Sequence, residues 1–128
     1  MGQILVIDDD EQFLGFLKEI LLMEGLSVET ATNGKEGLHL LEKTHFDLII
    51  SDVFMPETDG IMLLRALRKS HPGIKIIGIS GGGRGISAAE TLPIIKQLGA
   101  AKVLSKPFTR KELLPLVYEL LGKKTGVG

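Results

Sequence analysis

The strongest constraint on the fold is a fivefold alternation between two hydrophobic periods. Five short apolar runs with the character of strands are each followed by a longer segment with helical spacing. The predicted strands are Ile4–Ile7, Ser27–Thr30, Leu48–Ile50, Ile74–Ile79 and Lys102–Leu104. The predicted helices are a first segment that carries Phe13, Phe16, Leu17, Ile20 and Leu21 on one apolar stripe, then Lys35–Thr44, Ile61–Ser70, Ser87–Leu98 and Arg110–Leu121. Strands that alternate with helices form parallel sheets covered by helices on both faces, so we predict a doubly wound α/β fold.

Helix boundary signals agree with this alternation. Asn33 stands at the start of the second predicted helix, and Thr109 is suited to cap the last one. Gly25 and Gly122 follow the first and last helices, where glycine often ends a helix.

Composition excludes several classes of protein. The chain has 128 residues, of which 44% are hydrophobic, so we expect one domain over residues 1–122 and a flexible tail over 123–128. Lys and Arg number 15 and Asp and Glu 16, a net charge of −1, which favours neither direct nucleic acid binding nor membrane binding. Cysteine is absent from the sequence, which excludes disulfides and thiolate metal sites. With no apolar run near the ~20 residues of a membrane span and no secretory signal, we expect a cytoplasmic protein.

Polar residues follow four of the five predicted strands. The first strand runs into Asp8-Asp9-Asp10, the third into Asp52, the fourth into Ser80 and the fifth into Lys106. Taken singly, these residues are explained as a helix cap, a turn, a loop and a solvated lysine. Because open parallel sheets bind ligands outside the carboxyl ends of their strands, four such residues at one edge favour a shared site.

The charges of these residues indicate the chemistry. Asp8, Asp9 and Asp52 would repel one another, and Lys106 supplies only one positive charge. Oxygen ligands without histidine or cysteine favour a hard divalent cation, and we predict Mg²⁺. A carboxylate beside such a metal can act as the nucleophile that takes up a phosphoryl group, whose oxygens Ser80 and Lys106 can bind.

These motifs together resemble the receiver domain of bacterial two-component response regulators. The resemblance runs from Gln3 to about Leu121 and rests on five segments: Val6 to Asp10, Asp47 to Pro56 with Asp59-Gly60, Ile77 to Gly81, Leu98 to Ala100, and Lys106 to Phe108. It implies a flavodoxin-like (βα)5 fold with strand order 2-1-3-4-5. It also implies a signalling switch rather than an enzyme that turns over an external substrate.

By this resemblance, Asp52 is the phospho-acceptor. Asp9 binds Mg²⁺ directly, Asp8 assists through water, and the backbone carbonyl of Phe54 is a third metal contact. The implied phosphoryl donor is a sensor histidine kinase or a histidine phosphotransfer protein. The implied recipient of the signal is a downstream protein or an output domain outside this sequence, and the sequence identifies neither partner.

The remaining site residues implied by the resemblance follow the fourth and fifth strands. Ser80 is the switch hydroxyl, and Gly81 and Lys106 complete the phosphoryl-binding set. The peptide bond between Lys106 and Pro107 is expected to be cis, an isomer that proline makes accessible.

Three positions carry open alternatives. Val103 stands where the family often has an aromatic switch residue, so the usual coupled rotation is in doubt. Four glycines between Gly81 and Gly85 suggest instead that this loop orders on phosphorylation. Leu14 is either a core leucine or a contact for a four-helix histidine phosphotransfer domain.

Three other functions are alternatives to a receiver. A haloacid-dehalogenase-like phosphatase would use Asp8-x-Asp10, Ser80 and Lys106, but it would leave Asp52 without a role. A nucleotide-binding module is suggested only by the loose pattern Gly83-x-Gly85-x-x-Ala88. A receiver-like scaffold that is never phosphorylated would not need the intact acidic set.

Overall fold

A computed structural model describes residues 3–52, 60–80, 101–105 and 108–122. The elements within these ranges are β1 (Gln3–Ile7), α1 (Glu11–Met23), β2 (Ser27–Ala31), α2 (Gly34–Lys43), β3 (Leu48–Asp52), α3 (Gly60–Ser70), β4 (Lys75–Ser80), β5 (Lys102–Ser105) and α4 (Arg110–Leu121). All five predicted strands are confirmed, as are four of the five predicted helices. The helix predicted over Ser87–Leu98, the glycine loop before it and the tail over 123–128 lie outside the described residues.

The five strands form one parallel sheet in the order β2-β1-β3-β4-β5. This is the order 2-1-3-4-5 expected from the sequence, and it places β1, β3 and β4 in the interior of the sheet. The order reverses direction beside β1, because β2 lies on one side of it and β3 on the other. Such a reversal opens a crevice at the carboxyl ends of the strands, where doubly wound proteins bind their ligands.

Two hydrophobic cores lie on opposite faces of the sheet. Alternate residues of β1 pack into one core or the other, because successive side chains of a strand point to opposite faces of the sheet. Ile4 and Val6 join the core that contains α1 and α4, whereas Leu5 and Ile7 join the core that contains α2 and α3. All four side chains are fully buried, which explains why this strand is an unbroken apolar run.

The buried face of α1 differs from its prediction at one position. Leu17, Ile20 and Leu21 are buried as expected, but Phe16 is 43% exposed and therefore lies outside the core. Leu14 takes its place on the buried stripe, with 5% of its surface exposed. The structure therefore supports the interpretation of Leu14 as a core leucine, and the apolar stripe is rotated toward Leu14.

Helix ends carry the expected caps. The side chain of Asn33 accepts a hydrogen bond of 2.8 Å from the backbone N–H of Glu36 at the start of α2. Thr109 precedes α4, where its own backbone N–H donates to the Glu112 carboxylate at 3.0 Å. Gly122 ends α4 in the left-handed conformation, with φ of 75°.

A polar contact joins the end of α1 to α4. The Glu24 carboxylate accepts hydrogen bonds from the Tyr118 hydroxyl and from the Arg110 guanidinium. The Tyr118 hydroxyl, and then Arg110, lower the pKa of Glu24, and the same hydrogen bond raises the pKa of Tyr118. Within the described ranges, no helix has the length and apolar character needed to cross a membrane.

Candidate metal centre at the carboxyl edge of the sheet

Strand register brings the predicted site residues to one edge of the sheet. Ile7 of β1 pairs with Ser51 of β3, so Asp8 and Asp52 are the next residues on two adjacent strands. Asp52 in turn pairs with Ile79 of β4, so Ser80 lies one step beyond it. The convergence predicted for these strand ends is confirmed for β1, β3 and β4.

Three carboxylates form a compact cluster at this edge. One oxygen from each of Asp8, Asp9 and Asp52 lies within 4.8 Å of the others. Asp8 is fully buried and Asp52 is 3% exposed, whereas Asp9 is the most open of the three. Two of the three carboxylates are therefore buried in the protein, whereas that of Asp9 is open to solvent.

Backbone hydrogen bonds hold Asp8 in position. Its N–H donates to the carbonyl oxygen of Ala31 at 3.1 Å, which continues the pairing of β1 with β2 by one residue. Its side-chain oxygen Oδ1 accepts from the N–H of Asp10 at 2.9 Å. The second bond turns the chain sharply between β1 and α1, so the carboxylate is fixed where the strand ends.

Asp10 has a different role from its two neighbours. It is the N-cap of α1, and its Oδ1 accepts from the backbone N–H groups of Gln12 at 3.0 Å and Phe13 at 3.2 Å. The helix-cap interpretation of the acidic run is therefore correct for Asp10, while Asp8 and Asp9 join the cluster. The phosphatase alternative relies on Asp8 and Asp10 as a pair, and in this structure Asp52, not Asp10, completes the cluster with Asp8.

The electrostatics of the cluster favour a bound cation. Two unit negative charges at 4.8 Å repel by about 3.5 kcal/mol at an effective dielectric constant of about 20. Burial of Asp8 and Asp52 reduces the water available to offset that repulsion. The donor set consists of carboxylate oxygens, which suit Mg²⁺ or another hard divalent ion. The residues present therefore fit the predicted metal.

Of the other predicted site residues, the structure describes only Ser80. Ser80 is the last residue of β4, and its backbone pairs with Ser105, the last residue of β5. Lys106 comes next along the chain, but Lys106 and Pro107 lie outside the described residues, as do Phe54 and Gly81. Their site roles, including the cis peptide bond, stay predictions.

Val103 is also placed by the register of the sheet. It lies opposite Gly78 on β4, is half-buried, and packs against the core that contains α2 and α3. The position where the family often has an aromatic residue is therefore filled by a partly buried aliphatic side chain.

Comparison with known proteins decides the family. The family model for the response regulator receiver domain matches residues 4–118. The chain belongs to the response regulator receiver family. A similar solved structure is the CheY-like receiver domain protein from Methanospirillum hungatei JF-1, with a TM-score of 0.86 and 33% identity over 95% of this chain and 94% of that one. The flavodoxin-like fold and the receiver resemblance are thereby confirmed.

Relatives of this receiver include longer proteins. The transcriptional regulatory protein CpxR of Escherichia coli strain K12 is 38% identical over 121 residues, which cover 94% of this chain and 50% of CpxR. The sensor kinase CckA of Brucella abortus strain 2308 is 40% identical over 123 residues, which cover 94% of this chain and 12% of CckA. The receiver thus spans half the length of CpxR and a small part of CckA.

Proposed function

We propose that this receiver accepts a phosphoryl group on Asp52 from a phosphohistidine, with Mg²⁺ as the cofactor. The observation that carries the proposal is the cluster of Asp8, Asp9 and Asp52 at the carboxyl edge of the sheet. Membership of the receiver family supports the same function. The proposed donor is a sensor histidine kinase or a histidine phosphotransfer protein.

The transfer follows from the placement of Asp52. One oxygen of its carboxylate attacks phosphorus, a new P–O bond forms, and the P–N bond to the donor histidine breaks. The imidazole leaves as a neutral ring after it takes up a proton. The bound cation supplies charge neutralisation at the phosphoryl oxygens. Asp52 can act as the nucleophile because β3 fixes it at the sheet edge.

The neighbouring residues have separate proposed roles. Asp9 binds the cation directly, since it is the most open of the three carboxylates, and the buried Asp8 assists through water. The Phe54 carbonyl completes the protein ligands. These assignments rest on the donor set and on the family pattern.

The proposed response to phosphorylation involves the ends of β4 and β5. The Ser80 hydroxyl, Gly81 and Lys106 bind the new phosphoryl oxygens, with the bond before Pro107 in the cis form. Ser80 lies one register step beyond Asp52, which supports its inclusion. We propose that this rearrangement alters a contact with a downstream protein or with an output domain, in the cytoplasm. Direct contact with nucleic acid is not part of this proposal.

Incubation with acetyl phosphate and Mg²⁺ tests the acceptor. Intact mass spectrometry should show the gain of one phosphoryl group, and proteolysis should map it to Asp52. The label should be lost in alkali, as an acyl phosphate is, and should not form when EDTA replaces Mg²⁺. Asp52→Asn should not be labelled, whereas Asp47→Asn, on an exposed residue just before β3, should be labelled like the parent protein.

Other outcomes would favour the rival functions. Labelling elsewhere, or labelling of Asp52→Asn, would overturn Asp52 as the acceptor. Repeated turnover of a phosphomonoester would favour the phosphatase. A folded protein that binds no Mg²⁺ and takes up no label would favour a scaffold.

A further inference from the structure

An aromatic contact joins the start of α1 to the residue that leads into α4. The rings of Phe13 and Phe108 meet edge to face, with 5.4 Å between their centroids and 85° between their planes. This arrangement is favourable because the positive edge of one ring meets the negative face of the other. Phe108 is 7% exposed and belongs to the core that contains α1 and α4, and the half-buried Phe13 packs against that core. The contact therefore links two separate elements on one face of the sheet.

On the α1 side, two hydrogen bonds in series connect Phe13 to the acidic cluster. The backbone N–H of Phe13 donates to Oδ1 of the N-cap Asp10 at 3.2 Å, and the N–H of Asp10 donates to Oδ1 of Asp8 at 2.9 Å. Asp9 lies between Asp8 and Asp10 in the same turn. A displacement of Phe13 would therefore shift the turn that carries two of the three clustered carboxylates.

The first turn of α1 depends on Phe13 for its anchor. Glu11 and Gln12 are exposed, so Phe13 is the first residue of this helix that packs against the core. When no cation is bound, the clustered carboxylates repel one another, and this repulsion tends to move the more open Asp9 away from the sheet edge. The ring contact opposes that movement, because separating the two rings would expose apolar surface to water.

On the other side of the contact, Phe108 is fixed at the start of α4. It precedes the N-cap Thr109, and an apolar side chain at that position often packs against the fourth residue of the helix and sets the direction in which the chain enters. The fourth residue is Leu113, which is fully buried in the same core. Lys106 lies two residues before Phe108 in the sequence. The ring contact therefore connects the acidic turn after β1 to the segment that follows Lys106.

We propose that Phe13 and Phe108 are positioning residues for the metal site, which hold the acidic turn at the sheet edge and fix it relative to the segment that follows Lys106. The rings act through the backbone hydrogen bonds of the turn and do not contact the ion. The inference rests on the Mg²⁺ site of the proposed function, and it assigns part of the affinity of that site to a pair of apolar residues. It does not require Asp52 to accept a phosphoryl group.

Replacement of either ring by leucine tests the pair. NMR titration of the metal-free full chain with MgCl₂ gives the dissociation constant for Mg²⁺. Phe13→Leu and Phe108→Leu should each raise this constant about three- to tenfold, which is the range expected for the loss of one aromatic contact. Phe13→Met should raise it less than Phe13→Leu does, because a thioether still makes a favourable contact with the Phe108 ring. The double leucine variant should bind Mg²⁺ about as weakly as the weaker single variant, because both substitutions break the same contact.

Two other phenylalanines serve as matched controls. Phe16 is also on α1 but is 43% exposed, so Phe16→Leu removes a ring from the same helix without breaking the contact with Phe108 and should leave the dissociation constant for Mg²⁺ unchanged. Phe46 is 3% exposed, belongs to the core on the other face of the sheet, and precedes β3 at the edge opposite the acidic cluster. Phe46→Leu should destabilise the protein in urea about as much as Phe108→Leu does, since both remove a buried ring, but it should not weaken Mg²⁺ binding.

Amide hydrogen exchange measures the turn directly, in the absence of metal. In EDTA, the amide of Asp10 should exchange faster in Phe108→Leu than in Phe46→Leu, because its hydrogen bond to Asp8 lies in the turn that the lost contact releases. Equal rates in these two variants would contradict the positioning role. Phe13→Leu, which alters the half-buried ring, gives the same test if Phe108→Leu does not fold.

Three results of the titration would overturn the inference. These are an Mg²⁺ affinity that is unchanged in both Phe13→Leu and Phe108→Leu, a double variant whose loss of binding free energy equals the sum of the single losses, or an equal loss in Phe46→Leu. A parent protein without affinity for Mg²⁺ would overturn the inference together with the proposed cofactor. Labelling with acetyl phosphate separates the two proposals: if the titrations follow the expected pattern but Asp52 takes up no label, the acceptor function fails and the positioning role stands.

Discussion

Asp52→Asn removes one negative charge from a cluster whose carboxylate oxygens lie within 4.8 Å of one another. Asparagine is similar in size, so the packing of this 3% exposed side chain should change little. At an effective dielectric constant of about 20, each repulsive pair at this distance costs about 3.5 kcal/mol. This repulsion is weakened because each charge is spread over two oxygens and because water reaches Asp9. We therefore expect a net increase of about 1–3 kcal/mol in the free energy of unfolding.

Urea denaturation in EDTA and in Mg²⁺ measures this effect. In the parent protein, Mg²⁺ at about 100 times its dissociation constant should add about 2.7 kcal/mol to the unfolding free energy. The increment should be smaller in Asp52→Asn, because the variant offers one fewer carboxylate. The variant should therefore be the more stable protein in EDTA and lose most of that advantage in Mg²⁺.

Asp47→Asn is the matched control for this prediction. Its carboxylate accepts from the N–H of Gln3 at 2.9 Å, and this bond, followed by the contact with His45, lowers the pKa of Asp47. Here the negative charge is stabilising, so its removal should destabilise the protein and leave the Mg²⁺ increment unchanged. The electrostatic reasoning would be refuted if Asp52→Asn were less stable than the parent in EDTA, or if its Mg²⁺ increment were undiminished.

Three further predictions concern packing, backbone conformation and pH. A β-carbon at Gly37 would lie 2.5 Å from Cδ1 of Ile7, so Gly37→Ala should cost about 1–3 kcal/mol in urea denaturation, and Ile7→Val should relieve much of that cost in the double variant. Gly25 has φ of +79°, so Gly25→Ala should lower the unfolding free energy by about 1–2 kcal/mol. The pKa of Glu24 is lowered in the folded state by the Tyr118 hydroxyl, so its contribution is present above the ordinary value of 4.5 and is lost as pH falls through the folded value. Glu24→Gln should therefore show a shallower loss of stability under acid than the parent, and an equal loss would contradict the assignment.

Much of the fold is readable from local sequence. The apolar run of β1 predicts a strand covered on both faces, and Asn33 marks the start of α2 within a residue of its observed position. Such signals depend on neighbours in the chain, which is why they predict the type of each element. The strand order depended on the family resemblance, because alternation of strands and helices is compatible with several orders.

The site could be predicted because parallel strands end at one edge. Asp8 and Asp52 each follow an apolar run, so their meeting requires only adjacent strands in register. Residue type alone did not distinguish Asp10 from its neighbours, and only the family resemblance assigned the metal to Asp8 and Asp9. The turn into α1 separates them, because the N-cap position points the Asp10 carboxylate at the helix backbone.

The sequence by itself determined the alternation of elements, the buried character of the central strands and the acidic residues at their ends. Tertiary structure decided which side chains of separate elements meet. Glu24 contacts Arg110 and Tyr118 across 86 and 94 residues, and no local spacing links them. Phe16 is apolar, yet its side chain is exposed, because the rotation of α1 depends on how its side chains fit the core that it shares with α4 and not on its own periodicity alone.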